Sequence, residues 1–120
     1  MTATEHLYFG FGQIVYSLAF SDGDVQASEK SKLEEIVSNE LEEHLSMQVT
    51  SIIFNLLEKD TFISTEDAFN QGLKNMKLGD NHLNIEMLSM FTNILSQVAT
   101  TFPPDTEIEK QIITKFKNAF

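Results

Sequence analysis

The sequence predicts an all-α fold, a compact bundle of about six helices in a single domain that spans residues 1–120. Apolar residues recur at helical spacing along almost the whole chain, and no segment shows the sustained alternation of a strand. Clusters of glycine, proline and aspartate separate the apolar segments. With 120 residues, of which 42% are hydrophobic, the chain is long enough to bury one core and too apolar to remain disordered.

The first two helices are predicted from about Thr4 to Phe20 and from about Ala27 to Leu45. Each carries one apolar stripe, and the second carries glutamates on its opposite face. The stripes are Leu7, Phe11, Ile14, Val15, Leu18 and Ala19 in the first helix and Leu33, Ile36, Val37, Leu41 and Leu45 in the second; the glutamates are Glu34, Glu35, Glu42 and Glu43.

The middle of the chain predicts two more helices. Ser64 followed by Asp67 is typical of a helix N-terminus, and Leu78-Gly79-Asp80-Asn81 is typical of a stop and turn, so the fourth helix lies between them. The third helix carries Val49, Ile52, Ile53, Leu56 and Leu57 and ends near Lys59-Asp60; the fourth turns Ala68, Phe69, Leu73 and Met76 inward.

Two helices complete the predicted bundle. Pro103-Pro104 ends the fifth helix, because proline cannot continue a helical hydrogen-bond ladder. Thr106 and Glu109 form a capping-box pattern that opens the sixth. The inward residues are Leu83, Met87, Leu88, Phe91, Ile94, Leu95 and Val98 in the fifth helix and Ile108, Ile112, Ile113 and Phe116 in the sixth.

Charge and composition exclude several classes of function. Eight lysines, no arginine and 18 acidic residues give a net charge of −10, which disfavours binding to nucleic acid or anionic membranes. The acidic charge either serves only solubility or favours cations and basic partners. The absence of cysteine excludes disulfides and thiolate metal sites. The sequence shows neither a signal peptide nor an apolar run that spans a bilayer, so we expect a soluble, cytoplasmic protein.

The two ends of the chain align when the sequence is shifted by 80 positions. Phe11, Ile14, Ala19, Glu29 and Lys30 meet identical residues, and the apolar stripes keep the same register. This favours a degenerate helix-turn-helix repeat, although two amphipathic helix pairs also share such a register without common origin. The identical partners are Phe91, Ile94, Ala99, Glu109 and Lys110.

The most distinctive local feature is the acidic turn, Ser21-Asp22-Gly23-Asp24-Val25. Placing Gly23 at position 6 of an EF-hand loop puts Glu29 at position 12, but positions 1 and 3 become Leu18 and Phe20, which cannot bind a cation. A regular EF-hand is therefore excluded. In the second copy, Phe102-Pro103-Pro104 stands opposite the Asp-Gly-Asp of this turn.

Two interpretations of the acidic turn stay open. It is either a purely structural reversal, with Gly23 ending the first helix and Glu29 capping the second, or a weak Ca²⁺ or Mg²⁺ site formed by Asp22, Asp24 and Glu29 with backbone carbonyls and water. Both copies keep the glutamate of positions 29 and 109, which favours capping. A cation site would then depend mainly on Asp22 and Asp24.

Leu18-Ala19-Phe20-Ser21-Asp22-Gly23-Asp24-Val25, followed by Glu29 and Leu33, resembles the signature of TerB-like tellurite-resistance domains. The resemblance implies an all-helical fold with an internal repeat, an association with tellurite and stress-response systems, and divalent-cation binding at Asp22, Asp24 and Glu29. The chain departs from the family pattern where Gln26-Ala27 replaces Ser-Pro, and its second copy lacks the Asp-Gly.

Other residue combinations favour structural roles. Glu40 and His44, four residues apart, are typical of a solvated helix face. Gly10-Phe11-Gly12 lies inside an apolar stripe, where glycine favours close helix packing over phosphate binding. Four further aromatic residues either pack inside the protein or mark a surface for a partner: Tyr8, Phe9, Phe20 and Phe120.

The residues predict a non-enzymatic interaction module with protein partners and no catalytic residue, and the TerB-like resemblance implies an association with stress. If the acidic turn is more than a structural reversal, it binds a divalent cation weakly. The first alternative is a ligand-free helical scaffold that assembles through an exposed aromatic patch. The second is a metal-assisted enzyme that uses the acidic pocket. It ranks lower because the sequence offers only scattered carboxylates and no placed base and electrophile.

Overall fold

A computed structural model describes residues 2–19, 27–41, 51, 55, 64–101 and 106–120, with the backbone alone for 27–30, 106, 108 and 109. These residues form helices and turns and contain no strand, which confirms the all-α prediction. A short 3₁₀ turn, Asp80–His82, joins the third and fourth helices of this part of the chain. The helices are α1 (Ala3–Ala19), α2 (Ala27–Glu40), α3 (Thr65–Leu78), α4 (Ile85–Thr101) and α5 (Thr106–Ala119).

Most predicted helix boundaries agree with the structure. Helix α1 lies within one residue of its predicted bounds, and α2 begins at Ala27 as predicted. The predicted end of α2 at Leu45 lies outside the described residues. So does most of the predicted helix at Val49–Leu57, of which Ser51 and Asn55 are described and helical.

Helix α3 begins where the sequence predicts. Ser64 has an extended backbone, and its hydroxyl accepts a hydrogen bond from the backbone N–H of Asp67 at 3.1 Å. Lys77 lies in the last turn, and the backbone N–H of Gly79 bonds back to carbonyls of that turn. The predicted cap and stop are therefore both confirmed.

Helix α4 begins two residues later than its apolar pattern suggests. Asn84 is its N-cap, because its Oδ1 accepts from the backbone N–H of Met87 at 2.8 Å. Leu83 therefore precedes the helix instead of opening it. Helix α5 begins at Thr106, but the side chains of its predicted capping box, Thr106 and Glu109, lie outside the described residues.

A capping box at the start of α1 is absent from the sequence-based prediction. The backbone N–H of Thr2 donates to Glu5 Oε1, and the Thr2 hydroxyl accepts from the backbone N–H of Glu5, both at 3.2 Å. These bonds lower the pKa of the Glu5 carboxyl below its ordinary value of 4.5, the backbone N–H of Thr2 most of all.

The closest contact between helices joins α1 to α3. A Cβ atom added at Gly10 would lie 2.6 Å from the backbone nitrogen of Met76, and one added at Gly72 would lie 2.7 Å from the carbonyl oxygen of Gly10. The two backbones therefore touch, and the packing role predicted for Gly10 is confirmed. Beside this contact, Asn75 Nδ2 donates to Gln13 Oε1 at 2.7 Å across the two helices.

An aromatic cluster forms the centre of the core. The rings of Phe11 and Phe91 stack with centroids 4.2 Å apart, and Tyr8 meets Phe91 edge-on at 5.6 Å. Phe116 lies 6.4 Å from Phe11, which brings α5 to the same cluster. This arrangement joins α1, α4 and α5.

The predicted stripes supply nearly all of this core. Four residues that the stripes predict to face inward are only half-buried: Leu73, Leu83, Met87 and Leu88. Ile113 is also half-buried. The predicted residues confirmed as buried are Leu7, Phe11, Ile14, Val15, Leu18, Ala19, Leu33, Ile36, Val37, Leu41, Ala68, Phe69, Met76, Phe91, Ile94, Leu95, Val98, Ile112 and Phe116.

The contact between α1 and α3 predicts a reversal of the usual effect of alanine in a helix. Replacing glycine by alanine ordinarily stabilises a helix by about 1 kcal/mol. We expect Gly10→Ala to lower the free energy of unfolding by about 1–3 kcal/mol, because its Cβ would overlap the α3 backbone. Urea denaturation measures the change. Asn70→Ala, on the exposed face of α3, is the control and should change stability by about 0.5 kcal/mol or less.

The capping box predicts a pH dependence at the start of α1. Because folding lowers the pKa of Glu5, its contribution to stability is present above pH 4.5 and is lost as the pH falls through the lowered value. NMR titration of the Glu5 side chain should show that lowered pKa. Thr2→Pro, which removes both contacts, should raise it more than Thr2→Ala, which keeps the backbone donor; equal values in the three proteins would contradict the assignment.

Candidate functional site

The helices that flank the acidic turn are described, and the turn itself is not. Helix α1 ends at Ala19 and α2 begins at Ala27, so Asp22 and Asp24 lie outside the described residues. Glu29 is the third residue of α2, but its side chain is also outside them. The assignment of these three residues to a cation site therefore stays a prediction.

The structure describes Leu18, which would be the first residue of an EF-hand loop. Leu18, which would have to supply the first ligand of such a loop, lies inside α1 and is only 1% exposed. Its side chain belongs to the hydrophobic core, and its backbone continues the helix where a loop would have to begin. The burial of Leu18 agrees with the exclusion of a regular EF-hand, which stays a prediction because residues 20–26 lie outside the described residues.

The described residues contain no other arrangement suited to a metal. Within that part of the chain, no three His, Asp or Glu side chains are grouped closely enough to hold an ion. Glu40 Oε1 accepts from Gln97 Nε2 at 2.8 Å and so links α2 to α4. His44, its predicted neighbour on the helix face, lies outside the described residues.

A surface cleft of about 380 Å³ lies where α4 begins and α5 ends. The 3₁₀ turn and the Asn84 cap form one side of it, and Phe120, packed on Phe116 at 5.5 Å, forms another. Leu83 and Leu88 stand at the two positions that form a hydrophobic staple around an N-cap. The residues that line the cleft are Asp80, Leu83, Asn84, Ile85, Leu88, Ala119 and Phe120.

Two large aliphatic side chains are exposed near this cleft. Ile85, the first residue of α4, is 86% exposed and lines the cleft itself, and Leu78 at the end of α3 is 59% exposed. Isolated exposed aliphatic residues are common on protein surfaces. These two side chains lie on either side of one turn, and Ile85 also lines the cleft.

The structure describes three of the four aromatic residues that were predicted either to pack inside the protein or to mark a partner surface. Tyr8 is buried against Phe91, while Phe9 and Phe120 are half-buried. Phe20 lies outside the described residues. The aromatic side chains that the structure describes are thus inside the protein or at its edge, and the exposed apolar surface is aliphatic.

The positively charged side chain of Lys77 lies near Phe120, which lines the cleft. Lys77 Nζ lies 6.0 Å from the centroid of the Phe120 ring, which is within the range of a cation–π contact. Lys77 is exposed and lies in the last turn of α3, where a positive charge also stabilises the helix dipole. Lys77 thus lies near Phe120, one of the residues that line the cleft.

Sequence reasoning missed this cleft, although part of its signal is local. Asn84 directly precedes an apolar run, which is a recognised N-cap pattern, and it would have placed Ile85 at the first, exposed position of the helix. The contribution of Phe120 was not predictable in this way. It depends on α5 returning to the start of α4.

Comparisons of the chain with protein-family models, curated proteins and solved structures find no match. The TerB-like resemblance stays a prediction from the residues that suggested it. None of the described helices has the length and apolar character needed to cross a membrane.

The cap of α4 gives a prediction for this region. Asn84→Ala should lower the free energy of unfolding by about 1 kcal/mol, because the N–H of Met87 loses its acceptor. Asn84→Ser, which keeps a capping oxygen, should recover most of that loss. Thermal denaturation of the three proteins measures both effects, and equal losses in the alanine and serine variants would contradict the capping role.

Proposed function

We propose that this chain is a non-enzymatic, TerB-like interaction module in which the acidic turn between α1 and α2 binds Ca²⁺ or Mg²⁺ weakly. One observation carries the proposal: the ends of α1 and α2, at Ala19 and Ala27, leave a connection of residues 20–26 that includes both aspartates. Glu29 follows in the first turn of α2. Two of the proposed ligands thus lie in the connection between the two helices, and the third lies in the first turn of α2.

The chemistry of the proposed site suits a hard cation. Carboxylate oxygens are the ligands that Ca²⁺ and Mg²⁺ prefer, and three carboxylates leave several coordination positions to backbone carbonyls and water. Such a site is weak, because Leu18 and the buried end of α1 cannot contribute the first ligands of a full loop. The net charge of −10 raises the local concentration of cations.

We also propose that the predicted repeat is a duplicated helix pair. Adding 80 to the bounds of α1 and α2 gives 83–99 and 107–120, close to those of α4 and α5. The equivalent residues Phe11 and Phe91 stack on each other at the centre of the core. Both observations support a common origin for the two pairs.

The proposed copies differ where α3 packs. Gly10 and Gln13 of α1 receive α3, whereas their equivalents in α4 are Met90, which is half-buried, and Asn93, which is exposed. The first copy is thus specialised for an extra helix. We also propose that Val49–Leu57 forms a further helix between α2 and α3, which would bring the total to six. The helical backbone at Ser51 and Asn55 supports this proposal.

The proposal includes a stress-associated role in the cytoplasm, with protein partners and without nucleic acid. The TerB-like motif supports the stress association, the cysteine-free composition supports the compartment, and the acidic charge supports the exclusion of nucleic acid. These elements depend on the sequence alone.

The cation site is tested by titrating the protein with CaCl₂ and with MgCl₂ and following backbone amide shifts by NMR. We expect saturable shifts centred on Gly23, because a bound ion changes the environment of the turn first. Asp22→Asn/Glu29→Gln should abolish them. Asp24→Asn should also weaken binding.

The matched control is Glu34→Gln/Glu35→Gln, which removes the same charge from the exposed face of α2. This variant should keep the saturable shifts at Gly23. Shifts spread over every acidic face, with equal loss in the two double variants, would show only screening of the net charge and would refute the site.

A scaffold that binds partner proteins without a cation is the second candidate. The exposure of Ile85 and Leu78 favours this candidate, because burying these aliphatic side chains against a partner would lower the free energy of the complex. The two candidates are compatible, since the acidic turn and the residues that line the cleft are different parts of the chain.

A further inference from the structure

The negative charge of this chain is unevenly distributed along it. Residues 1–63 contain 11 acidic residues and three lysines, a formal charge of −8, whereas residues 64–120 contain seven acidic residues and five lysines, a formal charge of −2. Two copies of a protein with a net charge of −10 repel each other. This repulsion is smallest where the surface is formed by the second part of the chain.

The cleft belongs to this nearly neutral part. All seven residues that line it lie between positions 80 and 120. Helix α1 reaches the same end of the protein with its first turn, where the carbonyl of Ala3 lies against Gly79, and so adds the exposed carboxylate of Glu5. The surroundings of the cleft therefore carry charges of both signs and little net charge.

The surface around the cleft combines a projection with a hollow. Ile85 lines the cleft and is still 86% exposed, so its side chain projects from the rim. Leu78, on the other side of the 3₁₀ turn, is 59% exposed. An interface between two identical surfaces needs both a projecting side chain and a place that receives it on the same surface.

Opposite charges lie on two sides of the cleft. Asp80 belongs to the 3₁₀ turn that forms one side, while Lys77 lies 6.0 Å from the ring of Phe120, which forms another. A twofold axis through the cleft would bring the Phe120 side of one copy over the turn side of the second copy. Each lysine would then face an aspartate, so the charges of this surface are complementary to themselves.

We propose that a second copy of this chain occupies the cleft, so that two copies form a homodimer about a twofold axis through it. Ile85 of each copy enters the cleft of the other, and Lys77 of each copy faces Asp80 of the other. The inference names the partner of the scaffold candidate, on which it rests, and does not depend on the cation site.

The proposed dimer is weak because its contact is small. Each copy contributes two exposed aliphatic side chains and one cleft of about 380 Å³, which is less than a stable dimer interface needs. Exposed ion pairs add little affinity and mainly set orientation. We therefore expect a dissociation constant of about 0.1–1 mM.

Dilution of the full chain from about 1 mM tests the dimer, with EDTA present so that no cation site takes part. Sedimentation equilibrium should show an average mass between one chain and two, and amide shifts at Leu78, Ile85 and Phe120 should change with concentration. Ile85→Ser should weaken association by roughly tenfold, because both copies lose the same buried group. Thermal denaturation should show that this variant stays folded, since Ile85 is 86% exposed.

Charge reversal tests the proposed pairing directly. Lys77→Glu and Asp80→Lys should each weaken self-association by roughly threefold to tenfold, since like charges would then face each other. An equimolar mixture of these two variants should associate again, because both cross-pairs in the mixed dimer join opposite charges. The control Glu34→Lys, on the exposed face of α2, changes the net charge as Asp80→Lys does and should not weaken association.

Three results would overturn the inference. The protein stays monomeric at about 1 mM, which would leave the surface to a different protein; Ile85→Ser associates as tightly as the unchanged chain; or Asp80→Lys strengthens association as Glu34→Lys does, which would show only reduced overall repulsion. None of these readouts involves Gly23 or a bound cation, so failure here is distinguishable from failure of the cation site.

Discussion

The contact between α1 and α3 at Gly10 and Gly72 is the constraint on which the described structure depends. At this point helix backbones touch, so the contact tolerates no side chain at Gly10 and fixes the separation of the two helices. The hydrogen bond from Asn75 to buried Gln13 then fixes their register, because a slip would leave two polar groups unpaired. A helix held in this way presents one defined face to the rest of the protein.

That face carries Phe11, and the core is arranged around it. Phe91 of α4 stacks on Phe11, and Phe116 of α5 approaches it from a third helix. The hydrogen bond from Gln97 to Glu40 adds α2 on the far side of α4. The glycine contact therefore positions α1, and α1 positions the aromatic cluster that includes Phe91 of α4. Helix α4 in turn holds α2 through the hydrogen bond from Gln97 to Glu40.

The sequence predicted the helices and the core because both depend on local periodicity. Every buried member of a predicted stripe follows from helical spacing alone, and Ser64 marked its helix end through a short-range hydrogen bond. The partner of Gly10 was not predictable, since Gly72 is remote in the chain and the pairing exists only after folding. The cleft was missed for the same reason, because Phe120 reaches it only through the return of α5. The caps at Thr2 and Asn84 had local signals that the stronger apolar pattern obscured.

The length of α1 separates the acidic turn from the turn that borders the cleft. The carbonyl of Ala3 at the start of α1 lies against Gly79, next to the turn that borders the cleft, while the acidic turn follows Ala19 at the other end. Helix α1 has 17 residues and is therefore about 25 Å long. This length is about three times the screening distance at physiological salt, so charge bound at one site has little effect on the other.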